Sequence, residues 1–553
     1  MTARAVSQKE FLVFTLESAG ARRSLSRYGY VALLLLVILL FGSIRFRLRN
    51  FPLERDEGEY AYAGQLILQG VPPYQLAYNM KFPGTYVAYA MILAVFGQTA
   101  TGVHLGLILV NAATTVLLYL LAGRLFGRMA GIVAASSYAL LSVSPSVLGL
   151  AGHATHFVLL PAVAGLLCLV KAYDSGRTPL FFCSGVLLGL PFLMKQPGVF
   201  LTAFASLYLL YRECRPWPAK WPAVMARAGT FFAGVLLPFG LTCLLLTVAG
   251  VFGRFWFWTF TYAREYGSIL SLAQGIGIFE ANFPLIVRPS ILIWGIAVIG
   301  LTAFLWDHDA RRQGFFVIGL LLFSSAAVCP GFYFREHYFI LLLPVVAILA
   351  GVAVSSSARI LLMAVPSRIV AAIPLGVFVI AFGYTTYQQR ATFFETVPEM
   401  VCREIYGSNP FPEAATIAEY IRTHTSTGER IAVLGSEPEI YFYSGRRSAT
   451  GYIYTYGLME NQPYALKMQR EMIAEIEGAR PEYMVAVKVP TSWLEQPGSP
   501  SLIFSWAQEY LQQNYDLEGI ADIQQHSQYV WGEAAQFYSP RSSYAVYVFK
   551  RKS

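Results

Sequence analysis

From residue 28 to about residue 390 the chain alternates long apolar runs with short polar breaks. Runs of this length predict membrane-spanning helices, which need roughly 20 apolar residues each. They fall near 28–44, 102–122, 130–150, 157–173, 179–194, 197–211, 228–250, 289–306, 314–330, 336–354 and 368–386, eleven in all. A further apolar segment, Gly84–Gly97, is shorter and either spans or lies flat in the interface. From about Thr392 the pattern turns polar. A helical stretch at Glu413–Thr425, a strand at Arg430–Leu434, a helix at Glu437–Tyr443 and strands at Tyr483–Val489 and Tyr544–Phe549 predict a small α/β domain. The predicted fold is thus an α-helical multi-pass membrane protein with about eleven spans and a C-terminal soluble α/β domain. Residues 1–27 form a tail, 28–390 the membrane module and 391–553 the soluble domain.

Composition agrees with a bilayer. Of 553 residues, 56% are hydrophobic and 13% charged, with mean hydropathy +0.50. Soluble domains carry about 25% charge, so the surplus apolar surface here faces lipid. The net charge of +9 is spread in short clusters, which excludes a nucleic-acid footprint. The six cysteines show no CxxC spacing, which argues against a disulfide framework or a zinc site. Basic residues before the first run, and Arg45, Arg47 and Arg49 after it in place of a cleavage site, indicate an uncleaved signal-anchor.

Charge also sets the expected orientation. With the N-terminus cytoplasmic and Gly84–Gly97 not spanning, the inner loops hold twelve Lys and Arg (Arg124 through Lys220 to Arg368) against five outside the first outer loop. That is the direction of the positive-inside rule. If Gly84–Gly97 spanned, the bias would invert, so it is placed as an interfacial helix on the outer surface. The soluble domain then lies outside. Arg45, Arg47 and Arg49 run against the rule.

The first outer loop, residues 45–84, concentrates chemistry. Asp56, Glu57 and Glu59 place three carboxylates within four residues at a membrane boundary, where charge is expensive to desolvate. Two readings of Asp56 stand open: a cap for a helix starting at Glu57, or part of a reacting site. Lys81 is either a snorkelling anchor or a ligand for an anion. Acid and lysine on one loop suit a site that binds an anion and moves a proton.

The run Arg55-Asp56-Glu57-Gly58-Glu59-Tyr60-Ala61-Tyr62, with Tyr78-Asn79-Met80-Lys81-Phe82-Pro83-Gly84, resembles the first outer loop of the polyprenyl-phosphate-dependent glycosyltransferases of the GT-C fold. These include protein O-mannosyltransferases and the transferase that adds aminoarabinose to lipid A. Phe82 separates Lys81 from Pro83, and Met80 stands where the lipid A enzymes carry glutamate. The resemblance implies a loop of two interfacial helices, with Asp56 as the base that takes the acceptor proton and Glu57 and Glu59 as its neighbours. Their charges are expected to keep the Asp56 pKa from falling very low. A cation is needed for the departing phosphate: Lys81 first, Arg335 second, with Lys195 as a further candidate. The partners implied are a polyprenyl-phosphate-linked sugar, an acceptor lipid, glycan or protein, and membrane lipid, at the cell (inner) membrane. Direct attack by the acceptor inverts the sugar.

Elsewhere on the outer face, His153 and His156 are spaced to share a helix face, either as boundary polar residues or as an acceptor or divalent-metal site. Lys195 lies in a short turn, and Arg335 in an aromatic segment beside His337 and Tyr338. The loop Val251–Val287, with Trp256, Trp258, Tyr262 and Tyr266, reads as an interfacial anchor or a lid; Gly435-Ser436-Glu437-Pro438 reads as a structural turn. Two other functions remain: a transporter or flippase for lipid-linked sugars, and a non-catalytic assembly subunit.

Overall fold

The computed structural model describes residues 28–215 and 221–552; the tail 1–27 and Lys220 fall outside them. Each predicted span is helical, and the chain is a multi-pass membrane protein. Seven stretches are long and apolar enough to cross a membrane: Tyr28–Arg47 (α1), Ala100–Phe126, Ala154–Ser175, Trp221–Val248, Leu272–Trp306, Glu336–Ala364 and Arg368–Gln388. Arg128–Val143, Thr178–Met194 and Gly314–Val328 are shorter apolar helices, and Val199–Cys214 is the remaining predicted span. The stretch Glu336–Ala364 is buried throughout its apolar window, at the centre of the bundle.

Two helices of 14 residues join α1 to this bundle: α2 (Arg55–Leu68) and α3 (Pro83–Phe96). At 1.5 Å per residue each is about 21 Å long, short of a bilayer core of about 30 Å. They press together at Gly64, where a Cβ would come within 2.9 Å of the Ala90 nitrogen.

The expected loop Val251–Val287 is helical for most of its length, with a break at 268–271. It forms a helix at Phe252–Trp256, a π-helical turn at Phe257–Tyr262, a helix at Ala263–Gly267, and then Leu272–Val287, which continues through a 3₁₀ turn into the next span. Apolar residues of the second half, such as Ile276 and Leu285, are exposed on that helix, as a lipid-facing surface requires.

The C-terminal region carries a six-stranded sheet in the order β2-β1-β3-β6-β4-β5. Its strands are Arg430–Leu434 (β1), Arg447–Ser448 (β2), Tyr483–Lys488 (β3), Tyr515–Asp522 (β4), Gln528–Trp531 (β5) and Ala545–Arg551 (β6). β1 runs parallel to β2 and β3, and β6 antiparallel to β3 and β4. The expected helix at Glu413–Thr425 is present at Phe411–Thr423. β4, β5 and the helices Ala465–Ala479 and Leu502–Asn514 were not expected.

The sheet region and the membrane module share one apolar core. Tyr62, Leu66, Tyr86 and Tyr89 from α2 and α3 pack with Ile417, Val433, Tyr441 and Val485. α2 approaches the sheet region so closely at Gly58 that a Cβ would meet the Glu439 nitrogen at 2.6 Å. Arg45, Arg47 and Arg49, which run against the expected orientation, are spent on backbone carbonyls. Arg45 donates to Gly149 O at 2.8 Å and Ser142 O at 2.7 Å. Arg47 donates to the carbonyls of Thr392, Phe393 and Thr396, each at 2.9 Å, and so ties α1 to the entry of the sheet region.

Candidate functional site

Helix α2 begins at Arg55, and its cap is Glu54, whose carboxylate accepts the Glu57 N–H at 2.9 Å. Asp56 is therefore not the cap, and its side chain is free for other work. The three acids then separate by helical geometry. Residues three apart share a face and residues one apart do not, so Asp56 and Glu59 point one way and Glu57 another.

Lys81 bridges the first pair. Its Nζ donates to Asp56 Oδ1 at 2.6 Å and to Glu59 Oε2 at 2.8 Å. The ammonium also lies over the rings of Tyr60 at 4.7 Å and Tyr454 at 5.2 Å. Glu59 is saturated: Oε2 also accepts Asn79 Nδ2 at 2.8 Å and Oε1 accepts the Tyr86 hydroxyl at 2.5 Å. Glu57 is fully buried on the opposite side, where Oε1 accepts the Gly152 N–H at 2.6 Å and stands 3.2 Å from His104 Nε2. It holds the peptide just before His153 and does not reach the reacting side.

The second donor to Asp56 Oδ1 comes from the sheet region: the Tyr454 hydroxyl, at 2.8 Å. With Oδ1 filled twice, Oδ2 is the free oxygen. It faces His153 Nδ1 at 3.7 Å and His337 Nε2 at 4.0 Å. Burial pushes the Asp56 pKa up, but Lys81 and His153 outweigh it and hold the carboxyl well below its ordinary range. The neighbouring acids were expected to prevent this; Lys81 sits between them and decides the sign. Lys81 likewise stays well above its ordinary value, because Asp56 and Glu59 overcome the cost of burial. Glu59 is raised, chiefly by burial.

Asp56, Lys81, Lys195, Arg335, His337 and Tyr338 line one cavity of about 200 Å³. Lys195, in the turn after Thr178–Met194, lies over the Tyr338 ring at 4.0 Å. Burial lowers its pKa to about 7, against the pull of Asp56. Arg335 stacks over Tyr333 at 5.6 Å. The cavity therefore sets three basic groups against two carboxylates, Asp56, already paired, and Glu460, a lining that can take up an anion.

The histidines combine differently from the expected pair. His156 is fully buried inside the bundle and does not join His153. His337, 184 positions further along, does: Asp56, His153 and His337 offer ligand atoms within 4.8 Å of one another. The donor types suit zinc or a similar ion. Their orientation does not. The two imidazoles stack at 4.1 Å with planes 9° apart, so one ion cannot lie in both ring planes, where the nitrogen lone pairs point. The residues as placed do not fit a single ion, and no step below runs through a metal.

The sequence assigns no role to His337 or Tyr338, which stand in the aromatic segment around Arg335, and does not single out Tyr454. The alternation Tyr452-Ile453-Tyr454-Thr455-Tyr456 is the signal that marks Tyr454: three tyrosines at every second position, all lining the cavity.

Residues 81–262 match the family model described as dolichyl-phosphate-mannose-protein mannosyltransferase. No curated protein matches the sequence. Among solved structures, the chain is similar to ArnT from Cupriavidus metallidurans bound to undecaprenyl phosphate, with TM-score 0.59 and 16% identity, covering 94% of this chain and 98% of that one. The apo form of the same protein gives 0.58 and 15%, over 95% and 98%. The Archaeoglobus fulgidus oligosaccharyltransferase tethered to an acceptor peptide gives 0.50 and 12%, over 92% and 74%. The fold of this chain is the GT-C fold.

Proposed function

We propose that this chain is a membrane glycosyltransferase that moves a sugar from a polyprenyl-phosphate donor to an acceptor hydroxyl. The observation that carries the reading is the single cavity in which Asp56 meets Lys81, Lys195 and Arg335. The GT-C fold and the undecaprenyl phosphate named for the ArnT structure support it.

The residues divide the work as follows. Lys81, Arg335 and Lys195 neutralise the phosphate. Asp56 Oδ2 takes the proton of the acceptor hydroxyl. The acceptor oxygen bonds to the anomeric carbon as the bond from that carbon to the phosphate oxygen breaks, and the electron pair leaves on the polyprenyl phosphate. Negative charge grows on that leaving group, where fixed cations lower the barrier. In-line displacement inverts the anomeric centre. The low basicity of Asp56 belongs to the ligand-free site: a bound phosphate shares Lys81, weakens its hold on Asp56 and raises the carboxylate's affinity for a proton. A transporter would place its charges near the bilayer midplane of broken helices. Here Lys195 and Arg335 sit at helix ends and Asp56 on the short α2, under the sheet region.

Binding of undecaprenyl phosphate to the protein in nanodiscs tests the phosphate end. Lys81→Ala and Arg335→Ala should each weaken binding about tenfold or more, since a charge-assisted hydrogen bond contributes roughly 1.5–3 kcal/mol. Parental affinity in both would misplace the phosphate.

We also propose that the N-terminus is cytoplasmic and the sheet region outside, on the loop-charge asymmetry. In a cysteine-free background, Glu495→Cys, at an exposed position, should react with an impermeant thiol reagent added to intact spheroplasts. Reaction only after lysis would reverse the topology.

A further inference from the structure

The cavity also carries an aromatic wall that the steps above leave unused. It is built from three segments far apart in the chain. The π-helical turn contributes Trp258 and Tyr262, each at least nine-tenths buried. The sheet region contributes Tyr452, and the loop before α3 contributes Tyr78. Their rings form a connected wall: Trp258 lies 5.1 Å from Tyr262, 6.0 Å from Tyr452, and stacks on Tyr78 at 5.8 Å with planes 20° apart.

One acid stands in this wall. Glu460 lines the same cavity and is 6% exposed. Its Oε2 accepts the Tyr262 hydroxyl at 2.5 Å. Among the described residues no protein donor reaches its other oxygen. The contact with Tyr262 is itself constructed: at Gly457 a Cβ would lie 2.8 Å from the Tyr262 hydroxyl, so the glycine makes room for that tyrosine to reach Glu460. Burial raises the Glu460 pKa, against the hydrogen bond from Tyr262 and the charge of Arg335. A carboxyl group this buried is costly unless its capacity for hydrogen bonds is used, and the Asp56 chemistry does not use it.

Flat aromatic faces and one hydrogen-bonding acid are what a sugar ring requires. Its C–H face packs on aromatic carbon, and its hydroxyls need fixed polar partners. We infer that the Trp258–Tyr262–Tyr452 wall with Glu460 is a saccharide subsite, in which the free oxygen of Glu460 accepts hydrogen bonds from hydroxyls of the transferred sugar. Glu460 then sets sugar specificity, and the Lys81, Lys195 and Arg335 cations set affinity for the lipid phosphate. The subsite rests on the glycosyltransferase reading and deepens it. A site that hydrogen-bonds hydroxyls rejects sugars lacking them more strongly than an apolar pocket can.

The test uses the full chain in nanodiscs and two kinds of probe: undecaprenyl phosphate, and a panel of undecaprenyl-phosphate-linked sugars comprising a hexose, a pentose and an N-acetylhexosamine. At least one sugar-bearing lipid should bind the parent more tightly than the bare lipid. Glu460→Gln should lose about tenfold of that increment, the size of one charge-assisted hydrogen bond, while binding bare undecaprenyl phosphate at least as tightly as the parent does, since it removes a negative charge near Arg335. A second readout avoids any folding defect in the variant. The fluorescence of Trp258, taken as parent minus Trp258→Phe, should change with the preferred sugar-bearing lipid and not with the bare one. Equal loss for both kinds of lipid in Glu460→Gln, a silent Trp258, or no sugar preference across the panel would each overturn the subsite. Absence of any undecaprenyl phosphate binding by the parent would instead defeat the function proposed above.

Discussion

Asp56→Asn should lower sugar transfer by about 10²–10⁴, the usual worth of general-base catalysis, with the protein still folded and in the membrane. The substitution is isosteric. Its amide oxygen still accepts from Lys81 and Tyr454, the two donors on Oδ1, while the position that faces His153 and His337 loses its ability to take a proton. The neighbouring acids should respond differently. Glu57→Gln keeps an oxygen for the Gly152 N–H and should cost least. Glu59→Gln removes one of the two charges that hold Lys81 and should act on phosphate binding more than on the proton step. A transfer assay with the native lipid-linked sugar compares all three. Near-parental activity of Asp56→Asn alongside an inactive Glu59→Gln would move the base to Glu59, and full activity in every variant would reject this loop as the reacting centre.

Glu437→Ala should destabilise the protein by about 3–5 kcal/mol, because it leaves the Arg55 guanidinium buried without its partner. Arg55 precedes Asp56 and is gripped by the sheet region. It donates to Glu437 Oε1 at 2.9 Å, to the Ser436 carbonyl at 2.5 Å, to the Tyr456 hydroxyl at 2.7 Å and to Asn409 Oδ1 at 3.2 Å. The Gly435–Pro438 turn is thus a docking element for the α2 helix. Its loss should loosen the seat of Tyr454 on Asp56 and lower activity together with stability. Thermal unfolding and protease sensitivity of the purified protein read the first effect. The paired replacement Arg55→Met with Glu437→Leu removes both charges, so it should recover much of the stability. A Glu437→Ala variant as stable as the parent would show that the pair does not hold the two parts together.

The sequence by itself determined the helical membrane module. Lipid imposes a strong rule, that each span be long, apolar and internally hydrogen-bonded, and that rule is written in consecutive residues. The shortness of Gly84–Gly97, and the gathering of Asp56, Glu57, Glu59 and Lys81 on one loop, were legible for the same reason: both are local. The helices within the apparent loop at Val251–Val287 were not, because their polar and aromatic residues resemble an interfacial connection.

Tertiary structure decided which groups meet. Asp56 is completed by Tyr454, 398 positions away, and by His337 rather than the nearby His156. No local pattern encodes such a pairing, because the direction of a side chain on a helix is set by the surfaces that bury the helix. The same holds for charge. Arg45 and Arg47 contradict the positive-inside rule in the sequence and are explained only by the carbonyls they cap. The sign of the Asp56 shift depends on Lys81 being folded back between two acids. Hydrophobic periodicity is a property of neighbours along the chain, whereas the field at a carboxylate is a sum over neighbours in space.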